Sequence, residues 1–268
     1  MSGSSLVGDA GEEGVVVERS GDYVTIWMNR PERRNALSLD QMQALRRAFA
    51  EAGESDALGV VFGGRGPVFS AGHDFADIAG IDLAGARRLL AACTDLMGTM
   101  QAIPQVVIAR VHGLATAAGC QLVATCDLAV AAASAGFAAP GGKGGWFCTT
   151  PMVAIGRNLA RKHALELALT GDTIDAATAL QWGLVNRVVP DAELDDATLD
   201  LLRRATRGSA LSKGLGKQAF YRQIGLDQPE AYAYAMEVMA AASQTDDAQE
   251  GVAAFLEKRP PRFGKRGD

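Results

Sequence analysis

The sequence has few of the side chains on which metal sites and disulfide frameworks depend. Only three histidines and four cysteines occur among its 268 residues. The cysteines (Cys93, Cys120, Cys126 and Cys148) show no C-x-x-C spacing and have no nearby histidine pair, so we expect no zinc site. Without a secretory signal we expect no disulfide framework, and Cys120 and Cys126 are predicted to pack as small apolar groups. The shortage of histidine also limits the candidates for a general base.

Long apolar runs and a positive charge balance are also missing. No run reaches the length of a membrane span, and the first dozen residues lack the basic-then-apolar pattern of a signal peptide. The formal net charge of -5 argues against nonspecific nucleic-acid binding. We therefore expect a cytoplasmic protein without nucleic-acid or membrane partners. A basic cluster near the end is either a solvated tail or a site that meets phosphates: Lys258, Arg259, Arg262, Lys265 and Arg266.

Hydrophobic residues make up 48% of the chain, which is enough for one large domain or for one domain with an appendage. Strands that alternate with helices favour an α/β fold. Val15–Arg19 and Tyr23–Met28 are β-prone runs, and Gly21-Asp22 between them predicts a hairpin. Ser38 is predicted to cap the next helix, with Gln41 as its capping-box partner.

Apolar residues at helical spacing predict a long amphipathic helix from Leu83 to about Ile103-Pro104. Two later helices are predicted to stop at Gly171 and Gly183, followed by a strand over Leu184–Val189. The chain is predicted to be helical from Asp191 onward. Four of its apolar residues share one helix face, which either closes the core or forms a subunit interface: Tyr232, Ala235, Met236 and Met239.

The stretch from Ile103 to Pro151 organises the rest of the chain. It predicts a buried strand over Gln105–Val111, a run of small residues over Gly113–Gly119, a short helix through Cys126 and a second strand. A helix that begins among such small residues exposes unpaired backbone N–H groups, which can hold negative charge without a cationic side chain. The alternative is a buried helix whose small residues only permit close packing.

Several motifs along the chain resemble the signature of the crotonase (enoyl-CoA hydratase/isomerase) superfamily, and they occur in the order typical of that superfamily. The form that the signature takes at Ala117–Gln121, together with the segment Gly144–Pro151, is similar to that of one subgroup of the superfamily. The resemblance covers nearly the whole chain after about residue 14. The motifs are Asn29-Arg30-Pro31 with Asn35-Ala36-Leu37, Phe69–Asp74, Ile103–Gly113, Ala118–Leu122 with Cys126-Asp127, and Phe255–Arg259.

The resemblance implies an α/β, crotonase-type spiral of repeated β-β-α units over residues 14–200. A disordered leader is expected at 1–13, and a helical oligomerisation segment at 201–268 that builds a homotrimer, often paired into a hexamer. The implied ligand is an acyl-CoA thioester. Coenzyme A therefore enters as part of the substrate, and no separate cofactor or metal is expected.

By motif position, the backbone N–H groups of His73 and Ala118 form the oxyanion hole of the family. The two glutamates of a hydratase fall on Gln121 and Gly141, and neither residue is an acid or a base near neutral pH. Ordinary hydration is therefore expected to be impaired. Restoring both glutamates should raise the rate unless Gly141 needs a glycine-only conformation. The resemblance implies these CoA-binding residues: Arg33, Arg34, Ala36, Ala71, His73, Asp74, Phe255 and Lys258.

Other side chains could replace the missing proton carriers. The His73 side chain is either an acid/base or points away while its N–H acts, and Asp74 is predicted to be a helix cap. Asp77 could face the pocket. Cys148 either is a nucleophile or packs as a buried side chain. Gln121 could orient a water molecule or the thioester.

Two classes of function remain open at this point. One is an enzyme of acyl-CoA or fatty-acid metabolism, a lyase or isomerase that uses other proton carriers. The other is a non-catalytic acyl-CoA-binding or regulatory protein. RNA binding, a third idea, is disfavoured by the net charge.

Overall fold

The structure is a computed structural model that describes residues 14–264. The strands are β1 (Val15–Ser20), β2 (Tyr23–Met28), β3 (Gly59–Gly64), β4 (Val106–Val111), β5 (Ala115–Thr116), β6 (Leu128–Ala132), β7 (Gly136–Ala138), β8 (Ile174–Asp175) and β9 (Arg187–Val189). A six-stranded sheet has the order β1-β2-β3-β4-β6-β9, in which only the β1–β2 pair is antiparallel. A smaller sheet has the order β5-β7-β8. This is the α/β arrangement that the sequence predicts.

The helices are α1 (Leu39–Glu54), α2 (Phe75–Ile78), α3 (Leu83–Ala102), α4 (Ala118–Thr125), α5 (Pro151–Asn158), α6 (Arg161–Thr170), α7 (Ala176–Trp182), α8 (Leu194–Thr206), α9 (Ala210–Gln223), α10 (Gln228–Ala242) and α11 (Asp246–Leu256). Short 3₁₀ turns cover Pro31–Arg33, Pro140–Gly142 and Asp191–Glu193. In the part of the chain that the structure describes, no helix is both long enough and apolar enough to cross a membrane.

The central strand β3 of the large sheet is buried along its whole length. Because successive residues of a strand point to opposite sides, both faces of the sheet are covered there. Val60 and Phe62 of β3 belong to the main core, whereas Val61 between them faces the other side. On that second side, Val61 lies in a smaller cluster with Leu194 and Leu202 of α8. Strands buried on two faces read as continuous apolar runs, which is why β4 is predictable as a buried strand.

Most of the predicted helix ends are confirmed. Gly171 and Gly183 end α6 and α7 in the left-handed conformation, with φ of 59° and 91°. The Ser38 hydroxyl accepts a hydrogen bond from the Gln41 N–H at 3.2 Å, as a cap should. The capping box itself is wrong, because the Gln41 side chain donates to the Gly14 carbonyl at 3.3 Å instead of returning to Ser38.

The C-terminal helices are fastened to the rest of the chain by a buried ion pair. Lys217 of α9 lies 2.8 Å from Asp127 and also donates to the carbonyls of Met100 and Gln105, at 3.0 and 2.8 Å. The other oxygen of Asp127 accepts a hydrogen bond from the Tyr221 hydroxyl at 2.8 Å. These contacts join α9 to the end of α3 and to the strand that follows it.

Helix α10 has no buried residue in the single chain. Tyr232, Met236 and Met239 on its predicted apolar face are 70%, 63% and 78% exposed. The face therefore does not close the core of one chain. Contiguous exposed apolar surface is typical of interaction sites.

We expect the purified protein to form an assembly through this face, as a trimer or a hexamer. Light scattering should give a mass of at least three chains at micromolar concentration. The double change Met236→Glu with Met239→Glu places charge in the interface and should lower that mass, whereas Glu237→Gln on the same helix should not. A single-chain mass for the unchanged protein would contradict the expectation.

The leader predicted at 1–13 and the basic residues Lys265 and Arg266 lie outside the described residues. The domain limits at residues 14, 200 and 268 remain predictions.

Candidate active site

Two loops meet at the start of α4. Ser70, after β3, forms a bridge with Ala115 of β5, and its carbonyl accepts a hydrogen bond from the Thr116 N–H at 3.0 Å. The first part of the small-residue run is therefore a strand rather than helix. Gly72 lies so close to the next turn that a methyl group placed on it would stand 3.3 Å from the Ala118 nitrogen. This contact brings His73 and Ala118 together.

The Ala118 N–H is the first of helix α4. Ala117 before it has φ 51° and ψ −118°, a conformation that non-glycine residues rarely adopt, and its N–H is held by the Ala138 carbonyl at 2.9 Å. Ala118 is fully buried. Within residues 14–264, no carbonyl or side chain accepts a hydrogen bond from the Ala118 N–H. A free N–H at a helix N-terminus suits an oxygen that carries negative charge.

The His73 N–H is left unpaired by its neighbours. The Leu37 N–H donates to the Gly72 carbonyl at 2.7 Å, and the Asp74 N–H donates to the Leu37 carbonyl at 3.0 Å. These two bonds fix the backbone on either side of His73. Among the described residues, the His73 N–H itself donates to none. The structure thus places two unpaired backbone donors on neighbouring segments.

The His73 imidazole is enclosed beside Trp146. The two ring centroids are 6.4 Å apart, and both imidazole nitrogens are buried without a hydrogen-bond partner in the described structure. Burial lowers the pKa of His73, while the nearby Leu37 backbone and the Asp77 carboxylate oppose the shift without reversing it. The ring is therefore neutral at neutral pH.

Gln121 is a buried amide, only 3% exposed, on the inner side of α4. Its side-chain oxygen lies 3.8 Å from the Cys93 sulfur, and its backbone carbonyl accepts a hydrogen bond from the Thr125 hydroxyl at 2.8 Å. An amide can orient a ligand or a water molecule, but it cannot take up a proton near neutral pH.

Gly141 lies in a loop that folds back on itself. The Gly141 carbonyl accepts a hydrogen bond from the Trp146 N–H at 3.0 Å, and its N–H donates to the Cys148 sulfur at 3.3 Å. A Cβ atom on Gly141 would stand 2.2 Å from the Trp146 carbonyl oxygen and 2.8 Å from the Cys148 sulfur. Its φ is not in the left-handed region, so crowding, rather than a glycine-only conformation, excludes a side chain here.

The Cys148 thiol is packed against this loop. It is 6% exposed, and burial raises its pKa, although the Gly141 N–H opposes the shift. Burial also raises the pKa of Cys93 and of Cys120 to about 12. Thiols in this state are poor nucleophiles, which favours the packing interpretation of Cys148 over the nucleophilic one.

Asp74 caps α2, as predicted, and also holds two arginines. Its side chain accepts a hydrogen bond from the Ala76 N–H at 3.1 Å and lies 2.8 Å from Arg33 and 3.5 Å from Arg30. Burial raises the pKa of Asp74, but the Ala76 N–H and the Arg33 guanidinium outweigh it and leave the pKa below its usual value. The charge of Arg33 is therefore partly compensated before any ligand arrives.

Asp77, the other carboxylate of this region, is engaged with the backbone. Its Oδ2 accepts a hydrogen bond from the Leu39 N–H at 2.8 Å. This bond leaves Asp77 close enough to His73 to act on it electrostatically. Asp77 thus supports the loop rather than standing free in the pocket.

The other predicted CoA-binding residues fall into two groups. Arg34 and Ala36 lie in the loop before α1, and the Arg34 carbonyl accepts a hydrogen bond from the Ala71 N–H at 3.0 Å. This group therefore adjoins His73. Phe255, which is 82% exposed, and Lys258 lie at the end of α11, and among the described residues no hydrogen bond or ion pair joins them to that loop. Their role stays a prediction.

Asn35 organises the site, although its motif position predicts no role for it. Asn35 is fully buried, and its side-chain amide donates to the carbonyls of Arg65, Val68 and Phe69 at 2.8, 3.0 and 3.1 Å. Its side-chain oxygen accepts a hydrogen bond from the Arg30 N–H at 2.9 Å. Asn35 thereby ties the loop before α1 to the chain leading to His73. Trp146 is a second residue of this kind, because sequence spacing does not predict that it lies beside His73.

Comparisons with known proteins agree with this geometry. The sequence model of the family described as enoyl-CoA hydratase/isomerase matches residues 18–266. Enoyl-CoA hydratase domain-containing protein 3, mitochondrial, from Danio rerio is 42% identical over 257 residues, which cover 94% of this chain and 88% of that protein. The protein of the same name from Homo sapiens is 41% identical over 240 residues, which cover 88% of this chain and 78% of that protein.

Two crystal structures have the same fold. An enoyl-CoA hydratase from Mycobacterium smegmatis has a TM-score of 0.90 at 44% identity and covers 94% of this chain and 99% of its own. Human enoyl-CoA hydratase domain-containing protein 3 has a TM-score of 0.89 at 38% identity and covers 93% of this chain and 99% of its own. The crotonase-type fold is thereby confirmed. The similarity of Ala117–Gln121 and Gly144–Pro151 to one subgroup is also confirmed, and that subgroup is enoyl-CoA hydratase domain-containing protein 3.

One expectation is wrong. The cytoplasmic location predicted from the sequence is contradicted by the vertebrate relatives, which are described as mitochondrial. A basic-then-apolar leader is a feature of secretory targeting alone, so this pattern cannot decide between the cytoplasm and the mitochondrion. The matched length, the identities and the shared fold lead to one conclusion: the chain belongs to the enoyl-CoA hydratase/isomerase family.

Proposed function

We propose that the protein binds an acyl-CoA thioester and holds its carbonyl oxygen with the backbone N–H groups of His73 and Ala118. The observation that carries this proposal is the pair of unpaired donors on neighbouring segments. Donors that are fixed before the substrate arrives stabilise a developing oxyanion by about 3–4 kcal/mol each. Because they belong to the backbone, they do not depend on the replaced side chains. The family match supports CoA thioesters as the ligand class.

Water addition to an enoyl thioester needs more than an oxyanion hole. It requires a base that activates water and an acid that delivers a proton to C2. Gln121 supplies neither, and the loop at Gly141 leaves no room for a side chain. We propose that the protein works in acyl-CoA metabolism through enolate stabilisation and is a poor hydratase.

The closed loop at Gly141 also favours a second candidate, a non-catalytic acyl-CoA-binding protein. In that case the site would hold the thioester without turnover. Incubation with a panel of enoyl- and acyl-CoA thioesters separates the two candidates, because only an enzyme changes the ester.

The thioester oxygen provides a direct test of the binding mode. We expect butyryl-CoA to bind about tenfold or more tightly than S-butyl-CoA, the thioether in which a CH₂ group replaces the carbonyl, because two hydrogen bonds of about 1 kcal/mol each are lost. Isothermal titration calorimetry measures both dissociation constants, with free CoA as the reference for the nucleotide part. Equal affinities for ester and thioether would contradict the proposed role of the two N–H groups.

A further inference from the structure

His73 differs from the other two histidines in how its ring is satisfied. The His112 ring forms a hydrogen bond with the Gly66 carbonyl at 2.8 Å, and His163 stacks on Trp182 at 4.5 Å with only its Nδ1 buried and unpartnered. In His73 both ring nitrogens are buried without a partner among the described residues. An unsatisfied buried polar group is costly, so such a group calls for an explanation by a ligand, a water molecule or a chemical role.

The carboxylates near the His73 ring are bonded to other residues. Asp77 of α2 is bonded to the Leu39 N–H, and Asp74 is directed to Arg33 and Arg30. Trp146, from the loop after β7, lies beside the ring, with the two centroids 6.4 Å apart and the planes tilted by 31°. No charged side chain is thus hydrogen bonded to the imidazole within the described structure. The Leu37 backbone lies close enough to oppose the lowering of the ring's pKa, but it does not meet hydrogen-bond geometry, so both ring nitrogens remain open to a ligand.

The other candidates for proton transfer are weaker. Gln121 is an amide, the Cys148 thiol accepts the Gly141 N–H, and burial raises the pKa of that thiol. His73 is neutral because burial lowers its pKa, and a neutral imidazole has one nitrogen with a free lone pair. The same residue offers its backbone N–H to the proposed oxyanion site. Its ring is therefore attached to the very residue that would hold the thioester oxygen.

We propose that the His73 imidazole is the proton carrier of this site and that it removes and returns a proton at C2 of a saturated acyl-CoA. The inference rests on the proposed thioester binding. In the forward step the C2–H bond breaks, the proton passes to an imidazole nitrogen, and the electron pair forms the C1–C2 double bond. The C1–O π electrons move to the oxygen between the His73 and Ala118 N–H groups. The reverse step returns a proton to C2, so no oxidant or co-reactant is consumed.

One proton carrier is enough for this reaction. Enolisation and its reversal use the same group twice, whereas hydration needs separate groups for water and for C2. A site with a single proton carrier is therefore a poor hydratase but is sufficient for proton exchange at C2. The acyl-CoA that fits it is one with an acidic C–H beside the thioester and no need for added water.

The experiment is isotope exchange. Butyryl-CoA is incubated with the full-length protein in D₂O, and loss of the C2 proton signal is followed by NMR. We expect exchange with the unchanged protein and 10²–10⁴-fold slower exchange with His73→Gln, the range typical for a lost general base. The dissociation constant of butyryl-CoA, measured by calorimetry, should change less than threefold, because the backbone N–H remains. His163→Gln, which makes the same change at the histidine that stacks on Trp182, should leave the exchange rate unchanged.

A rescue experiment separates proton transfer from a structural role. Added imidazole should restore part of the exchange in His73→Ala, which a mere loss of packing would not allow. Binding of butyryl-CoA without exchange, or exchange by His73→Gln at the unchanged rate, would overturn this inference and leave the proposed function standing. Failure of butyryl-CoA to bind at all would overturn both.

Discussion

Crotonyl-CoA should be hydrated at least 10²–10⁴-fold more slowly by this protein than by a hydratase that has both glutamates. Each positioned acid or base contributes a factor of that size, and the two losses need not multiply, because the groups act together. The reason lies at Gln121, an amide, and at Gly141, which has no side chain. The measurement is the loss of enoyl-thioester absorbance, recorded beside a true hydratase at equal enzyme concentration.

The two substitutions that would restore the glutamates of a hydratase have different expected effects in this structure. Gln121→Glu keeps the shape of the side chain, and burial would raise the pKa of the new carboxyl group toward the range useful for proton transfer. We expect this single change to raise the hydration rate about tenfold or more. Gly141→Glu should not add to it, because the new Cβ would stand 2.2 Å from the Trp146 carbonyl oxygen.

A charge control completes this test. Gln43→Glu makes the same chemical change on the exposed side of α1 and should leave the rate unchanged. Thermal unfolding of all variants shows whether a buried carboxylate at position 121 has weakened the fold. Hydration by the unchanged protein at the rate of a true hydratase would contradict the assignment of Gln121 and Gly141 as lost carriers.

Loss of the Ala118 N–H is expected to have the second large effect. Ala118→Pro removes that single donor, and a proline at the first position of a helix costs no helical hydrogen bond. Removal of one oxyanion donor typically lowers the rate by 10²–10³-fold, so C2 exchange or any residual turnover should fall by that factor. Ala118→Gly keeps the N–H and should be mild.

The conformation of Ala117 calls for a second way to remove the donor. A residue before proline prefers an extended backbone, whereas Ala117 has φ 51°, so the proline could disturb the turn. Replacing Ala118 by lactic acid turns the amide into an ester and deletes the N–H without adding a ring. If this ester variant folds and exchanges the C2 proton at the unchanged rate, the start of α4 is not the thioester site.

Local sequence signals were sufficient for the large elements. The Gly171 and Gly183 stops, the Ser38 cap and the apolar run of β4 depend on residues close in the chain, and all are confirmed. The strands of the small sheet contain only two or three residues each, too few for any periodicity to show. The small-residue run therefore does not reveal that Ala115–Thr116 is a strand.

The details of the site depend on residues far apart in the sequence. Three features require the finished fold: the bond from the Leu39 N–H to Asp77, the pairing of Arg33 with Asp74, and the position of Trp146 beside the His73 ring. Motif positions could indicate that Gly141 stands where a glutamate is usual. They could not show that the Trp146 carbonyl already fills the space of its side chain.

The ion pair between Lys217 and Asp127 has a consequence for any attempt to shorten the chain. The two side chains are only 7% and 15% exposed, and Asp127 also accepts a hydrogen bond from the Val107 N–H at 2.7 Å, at the start of β4. A fragment that ended at residue 200 would lose Lys217 and Tyr221 and leave this carboxylate exposed to water. It would also cut α8 before Leu202, which is fully buried in the cluster with Val61. We therefore expect the first two hundred residues to be less stable alone than in the full chain, whatever the later helices contribute between subunits.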